Sequence, residues 1–73
     1  MDTNTYPRQV SQTVADAMQA QGWSEKAMAE ATGIPRVTLR RRLAGAAFNV
    51  AELAAIADIL GTTVSDLVDR AAA

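Results

Sequence analysis

Residues 24–45 read SEKAMAEATGIPRVTLRRRLAG, and the fold turns on this stretch. Ser24 is a helix-capping residue by type, its hydroxyl able to accept a bond from an otherwise unpaired amide. A short helix-period segment follows and stops at Gly33, where a left-handed residue ends a helix. Pro35 cannot continue that helix and pushes Ile34 into an extended shape. A second short helix then starts at Arg36. It carries Arg36, Arg40, Arg41 and Arg42, four of the seven basic residues of the chain. Residues 1–35 carry a net −2, residues 36–42 a net +4 and residues 43–73 a net −3, so the overall −1 hides a polarised molecule. A cationic helix on an acidic body suits a protein that meets a polyanion with one face.

The segments on either side are helical too. Gly22, Gly45 and Gly61, with Gly33, follow helix-period runs and divide the chain into five helices, expected at about 7–21, 24–32, 36–44, 50–60 and 64–71. In the first, Pro7 is tolerated near the start, and Val10, Val14, Ala17 and Met18 form one apolar stripe. Trp23 and Met28 have the spacing of a hydrophobic staple around Ser24. Asn49 and Glu52 read as a capping box for the fourth helix, with Phe48 and Leu53 as its staple and Leu53, Ile56, Ala57 and Leu60 as its buried face. The fifth starts near Thr63, with Asp66 three residues on and Val64, Leu67 and Val68 apolar. Residues 71–73 are expected to fray. No segment alternates as a strand does, so the fold class is all-α, a five-helix single domain over residues 1–73.

Composition limits the function. A chain of 73 residues buries only roughly 60% of the surface its unfolded form exposes. The sequence has no Cys and no His, which removes thiolate and imidazole metal ligands, the usual general base and a disulfide. No phosphate-binding glycine loop or pocket of carboxylates is present, so an enzyme is not expected, and neither is a cofactor or a small-molecule ligand. No run approaches the roughly 18–20 apolar residues of a membrane span, and the polar start MDTNTYPRQ does not read as a signal peptide. A cytoplasmic protein is expected, with no membrane partner.

Two short helices joined by a turn of three or four residues containing Gly make the helix-turn-helix unit. Its requirements are met at its spacing. Ala29 is small enough for the helices to approach, Gly33 supplies the turn, Ile34 plugs the core, and Leu39 anchors the second helix. Residues 7–70 resemble the lambda-repressor/Cro-like domain, the XRE family of phage and bacterial regulators. TGIPRVTLRRRLAG with FNVAELAAIADILGTTVSDL after it is especially similar to phage and actinobacterial repressors. Two departures stand out. The family often has Gln where Glu25 stands, and an acid there repels phosphate unless it pairs with Arg36 and orients it. The family often has an apolar residue where Arg42 stands, and Leu43 is expected to take over the anchor.

The resemblance implies that the second helix of the unit enters the major groove of double-stranded DNA. Leu39 and Leu43 point inward. Arg36, Val37, Arg40 and Arg41 are then the candidate base readers, since arginine can donate two bonds to guanine and valine can meet a thymine methyl. Thr38, Arg42, Ser24 and Asn49 are candidates for the DNA backbone. Plainer roles stand beside these: a row of arginines can be a solvated face, Ser24 and Asn49 can be caps alone, and Trp23 and Phe48 are staples rather than stacking platforms. The function implied is a sequence-specific transcriptional regulator, a small phage Cro-like repressor acting by occupying its operator, in the cytoplasm of the bacterial host if phage-encoded. A protein-interaction module of the antitoxin or anti-repressor type, and the excised N-terminal domain of a longer repressor, are the alternatives. A homodimer through the fifth helix would place two recognition helices one turn of DNA apart.

Overall fold

The structure is a computed structural model that describes residues 5–73; the first four residues of the polar start lie outside it. Five helices follow one another. The first, α1 (Thr5–Gln21), starts two residues before the expected position, and Pro7 falls in its first turn, where an amide has no helical partner to lose. Val10, Val14 and Met18 are buried along one stripe, with Ala17 half-buried beside it. The second helix, α2 (Glu25–Thr32), is capped by Ser24, whose Oγ accepts from the Ala27 amide at 3.0 Å. Gly33 ends it at φ 78°, in the left-handed region, and returns its N–H to the Ala29 carbonyl at 2.9 Å. Met28, Ala29, Ile34 and Leu39 are all buried, so the turn is packed from beneath as its spacing requires.

The third helix, α3 (Arg36–Leu43), stops one residue short of the expected end. Ala44 is its right-handed cap and Gly45 follows at φ 126°. The fourth, α4 (Val50–Leu60), opens on the expected capping box. Asn49 Oδ1 accepts from the Glu52 amide at 2.7 Å, and Glu52 Oε1 accepts from the Asn49 amide at 2.9 Å. Trp23 and Phe48 lie half-buried against the core, consistent with staples. The fifth, α5 (Val64–Ala72), is capped by Thr63 alone. The Asp66 carboxylate does not turn back to close a second box; it accepts from the Thr62 hydroxyl and pairs with Arg70, each at 2.8 Å.

The helix runs through Ala72 and Ala71 is buried, so the core covers part of the stretch expected to fray. Part of the apolar face of α5 is also covered within the chain, while Val68 is half-buried outside the core cluster. Leu67 and Ala71 are in the core, Val64 packs half-buried against it, and α1 and α5 make the most extensive helix–helix contact of the fold. The Tyr6 hydroxyl adds a long bond to the Val68 carbonyl at 3.4 Å. Among the described residues the exposed large apolar side chains are Val37 and Val50. The molecule measures 34 × 23 × 20 Å along its principal axes. None of its described helices is long and apolar enough to cross a membrane.

Candidate nucleic-acid interface

The local sequence of α3 dictates which side chains it presents. Leu39 is fully buried and Leu43 half-buried against the core, which fixes the rotation of the helix about its axis. Val37 and Arg41 stand on the opposite face, and Arg36, Val37, Arg40 and Arg41 are all exposed. Val37 is 75% exposed, as is Val50 on α4. Arg36, Val37 and Arg40 line one shallow groove along the helix surface. Three of the four residues assigned to base reading thus line that groove, and Arg41 is exposed as well. Thr38 is half-buried.

The remaining assigned positions divide. Ser24 and Asn49 are exposed, and the oxygen of each is engaged as a cap. The Ser24 O–H and the Asn49 side-chain N–H2 keep their donors for an outside acceptor. Arg42 differs from its neighbours. Its Nε donates to Glu52 Oε1 at 3.1 Å, and the two side chains are only 24% and 13% exposed. The departure from an apolar residue at this half-buried position is thus accompanied by a carboxylate. The same Glu52 oxygen serves the capping box of α4, so one acceptor ties the end of α3 to the start of α4. The backbone of Arg42 is held as well: its carbonyl, at the helix end, accepts from the Gly45 amide at 3.1 Å and from the buried Ser11 hydroxyl at 2.6 Å.

Glu25 also finds a partner other than the one expected. It does not pair with Arg36; its Oε1 lies 3.2 Å from Nε of Arg40. The turn at Gly33 packs α3 against α2. Arg36, at the start of α3, shares a cleft with Lys26, Ala29, Glu30, Gly33 and Ile34. Arg40, one turn on, reaches the first residue of α2.

Two basic residues that local sequence pattern did not flag lie close to α3. Lys26 is exposed on the far wall of the cleft from Arg36. Arg8, on α1, lies beside Gly45 just past the end of α3, where a β-carbon on the glycine would sit 3.4 Å from Arg8 Cγ. Neither belongs to a cluster in the sequence; each is isolated, and only the packing of α1 and α2 around α3 brings it close. The surface is thus a set of outward cations and one exposed valine on a rigid helix, with cap donors at α2 and α4.

A family model described as helix-turn-helix matches residues 14–67, which span the turn, α3 and most of the supporting helices. No curated protein and no solved structure matches the chain.

Proposed function

Since the chain belongs to the lambda-repressor/Cro-like (XRE) helix-turn-helix family of DNA-binding transcriptional regulators, we propose that it is a small phage-type, Cro-like repressor that acts in the cytoplasm by occupying an operator. The observation that carries the reading is the exposed surface of α3, where Val37 and Arg41 stand opposite the buried Leu39, with Arg40 beside them and Arg36 exposed in the first turn. A helix fixed in rotation by its core presents these four to the floor of the major groove. Arg36, Arg40 and Arg41 supply guanidinium forks for the O6 and N7 acceptors of guanine, each good fork contributing about 1–3 kcal/mol of discrimination. Val37 supplies a surface for a thymine methyl.

Thr38 at the edge of that face, with the free donors of Ser24 and Asn49, suits phosphate oxygens along the groove walls. Lys26 and Arg8 extend the same contacts to either side. The Glu52 ion pair supports assigning Arg42 to the fold rather than to phosphate. One module reads few base pairs, so the operator is proposed to hold two half-sites about 34 Å apart, each taken by one copy. Operator occupancy then excludes polymerase by sterics alone and needs no chemistry from the protein.

Selection of random duplex DNA on the purified protein, with sedimentation of the free and bound forms, tests this. An enriched inverted repeat with half-sites one turn apart is the expected result. A folded protein that enriches no sequence overturns the reading. Arg41→Ala should cost about 1–3 kcal/mol and relax preference at one base pair; unchanged preference removes Arg41 from base reading.

A further inference from the structure

Glu25 is a carboxylate on the surface assigned to DNA, where a negative charge opposes phosphate. Its position at the first turn of α2 is favourable to an acid. That explains an acid at the position but not where its side chain goes. It reaches across to α3 and meets Arg40 at 3.2 Å through Nε, and the pair stays accessible, with side chains 38% and 67% exposed. This is the one hydrogen bond of the Arg40 side chain among the described residues. The two terminal nitrogens of its guanidinium therefore remain free.

A guanidinium has two useful edges. The side edge, Nε with one terminal nitrogen, and the end, with both terminal nitrogens, each match a pair of acceptors. Glu25 occupies the side edge. What it leaves is the end-on fork, the arrangement that spans O6 and N7 of a guanine. A free arginine on the same helix could use either edge and could equally swing to a phosphate.

On the reading given under Proposed function, we propose that Glu25 is a positioning residue that sets Arg40 for a guanine and against phosphate. Selectivity at one base pair then depends on a side chain that donates nothing to the DNA. Glu25 lowers affinity for every duplex by its charge and raises the ratio of specific to non-specific binding.

The test measures binding of the selected site, of duplexes changed at single base pairs and of non-specific DNA across a range of salt. It uses the wild type, Glu25→Ala, Glu25→Gln, Arg40→Ala and the double variant Glu25→Ala/Arg40→Ala, with thermal melting confirming that each is folded. An accessible pair of this kind has a coupling that corresponds to about a two- to fivefold effect. Glu25→Ala should therefore lower discrimination at the base pair read by Arg40 by about two- to fivefold. It should also raise affinity for non-specific DNA, and steepen the salt dependence by about 0.9 as the released arginine finds a phosphate. Glu25→Gln, which keeps the shape and one acceptor but not the charge, should fall between. In the Arg40→Ala background, removing Glu25 should leave discrimination unchanged. If Glu25→Ala binds all duplexes more tightly by one factor, with discrimination intact, Glu25 acts only as a repelling charge and the proposal is overturned. A wild type that enriches no sequence overturns the proposed function and this inference with it. An enriched wild-type site with equal selectivity in Glu25→Ala overturns this inference alone.

Discussion

Replacing Glu52 with alanine removes two bonds made by a single oxygen, and their loss can be worked out separately. Glu52 Oε1 accepts from the Asn49 amide at 2.9 Å and from Arg42 Nε at 3.1 Å. Losing the returning half of the capping box costs about 1 kcal/mol, the usual scale for a cap. The ion pair lies between two limits. An exposed pair contributes about 0.2–1 kcal/mol, while stranding one partner of a fully buried pair costs about 3–5 kcal/mol. Arg42 keeps a minority of its side chain in solvent and rehydrates in part, so about 1–2 kcal/mol is expected from this term. The two together give about 2–3 kcal/mol. For a domain of this size each kcal/mol moves the melting temperature by about 4–8 °C, so Tm should fall by about 8–24 °C. Urea and thermal unfolding followed by far-ultraviolet circular dichroism measure it, with Asn49→Ala and Arg42→Ala as companions. Asn49→Ala gives up only the cap and should lose about 1 kcal/mol. Arg42→Ala should lose about 1–2 kcal/mol while leaving the salt dependence of DNA binding unchanged, whereas a phosphate-bound arginine would take about 0.9 from that slope. If Glu52→Ala proves no worse than Asn49→Ala, the ion pair adds nothing and the reasoning fails.

Leu39 is fully buried at the centre of the helix-turn-helix, so Leu39→Ala should cost about 2–5 kcal/mol in urea unfolding; a loss below about 1 kcal/mol would mean that it does not anchor α3. Gly33 has φ 78° and nothing within 4 Å of an added β-carbon. Gly33→Ala should thus cost about 1–2 kcal/mol from backbone strain alone, and an unchanged Tm would show that the turn tolerates another conformation. The Thr62 hydroxyl, and then the Arg70 guanidinium, hold the Asp66 carboxyl below its ordinary value of 3.8. The stronger acid is the folded state, so its contribution is complete above the unfolded value and lost as the pH falls through the folded one. Stability measured from pH 7 downward should converge between wild type and Asp66→Asn below about pH 4; a difference that stays constant with pH would remove Asp66 from the acid response.

The five helices were legible because their ends are written in residue types whose chemistry is local. Ser24, Asn49 and Thr63 cap by accepting an amide three residues away, and Gly33 and Gly61 end helices at φ 78° and 75°. Neither relation needs anything from the rest of the molecule. The failures come where a distant element intervenes. Ala71 stands four residues after Leu67 and seven after Val64 and continues their stripe, but a small residue in a last turn does not by itself show what covers it. Nor does the pattern of Val64, Leu67 and Val68 say whether its cover is α1 or a second copy, because both bury the same stripe. The periodicity establishes that a face is apolar, and the packing decides what covers it.

The four arginines of α3 show the same division at the site. Leu39 and Leu43 fix the inner face, so an outward Arg41 follows from helix geometry. Arg40 and Arg42 lie to either side, and their partners come from elsewhere. Glu52 was legible as a cap and Arg42 as a charge in an apolar position, yet their meeting across ten residues was not. Glu25 was legible as an acid in want of a cation, but which arginine it takes depends on how the turn at Gly33 sets α3 against α2. The consequence is electrostatic. Of the four charges on the helix, Arg42 is matched by Glu52 and Arg40 by Glu25, while Arg36 and Arg41 form no ion pair among the described residues. Lys26 shares a cleft with Arg36 and Glu30, and Arg8 lies beside Gly45 past the end of α3. The charge of the proposed DNA face is therefore set by partners on α2 and α4 as well as by the run of arginines.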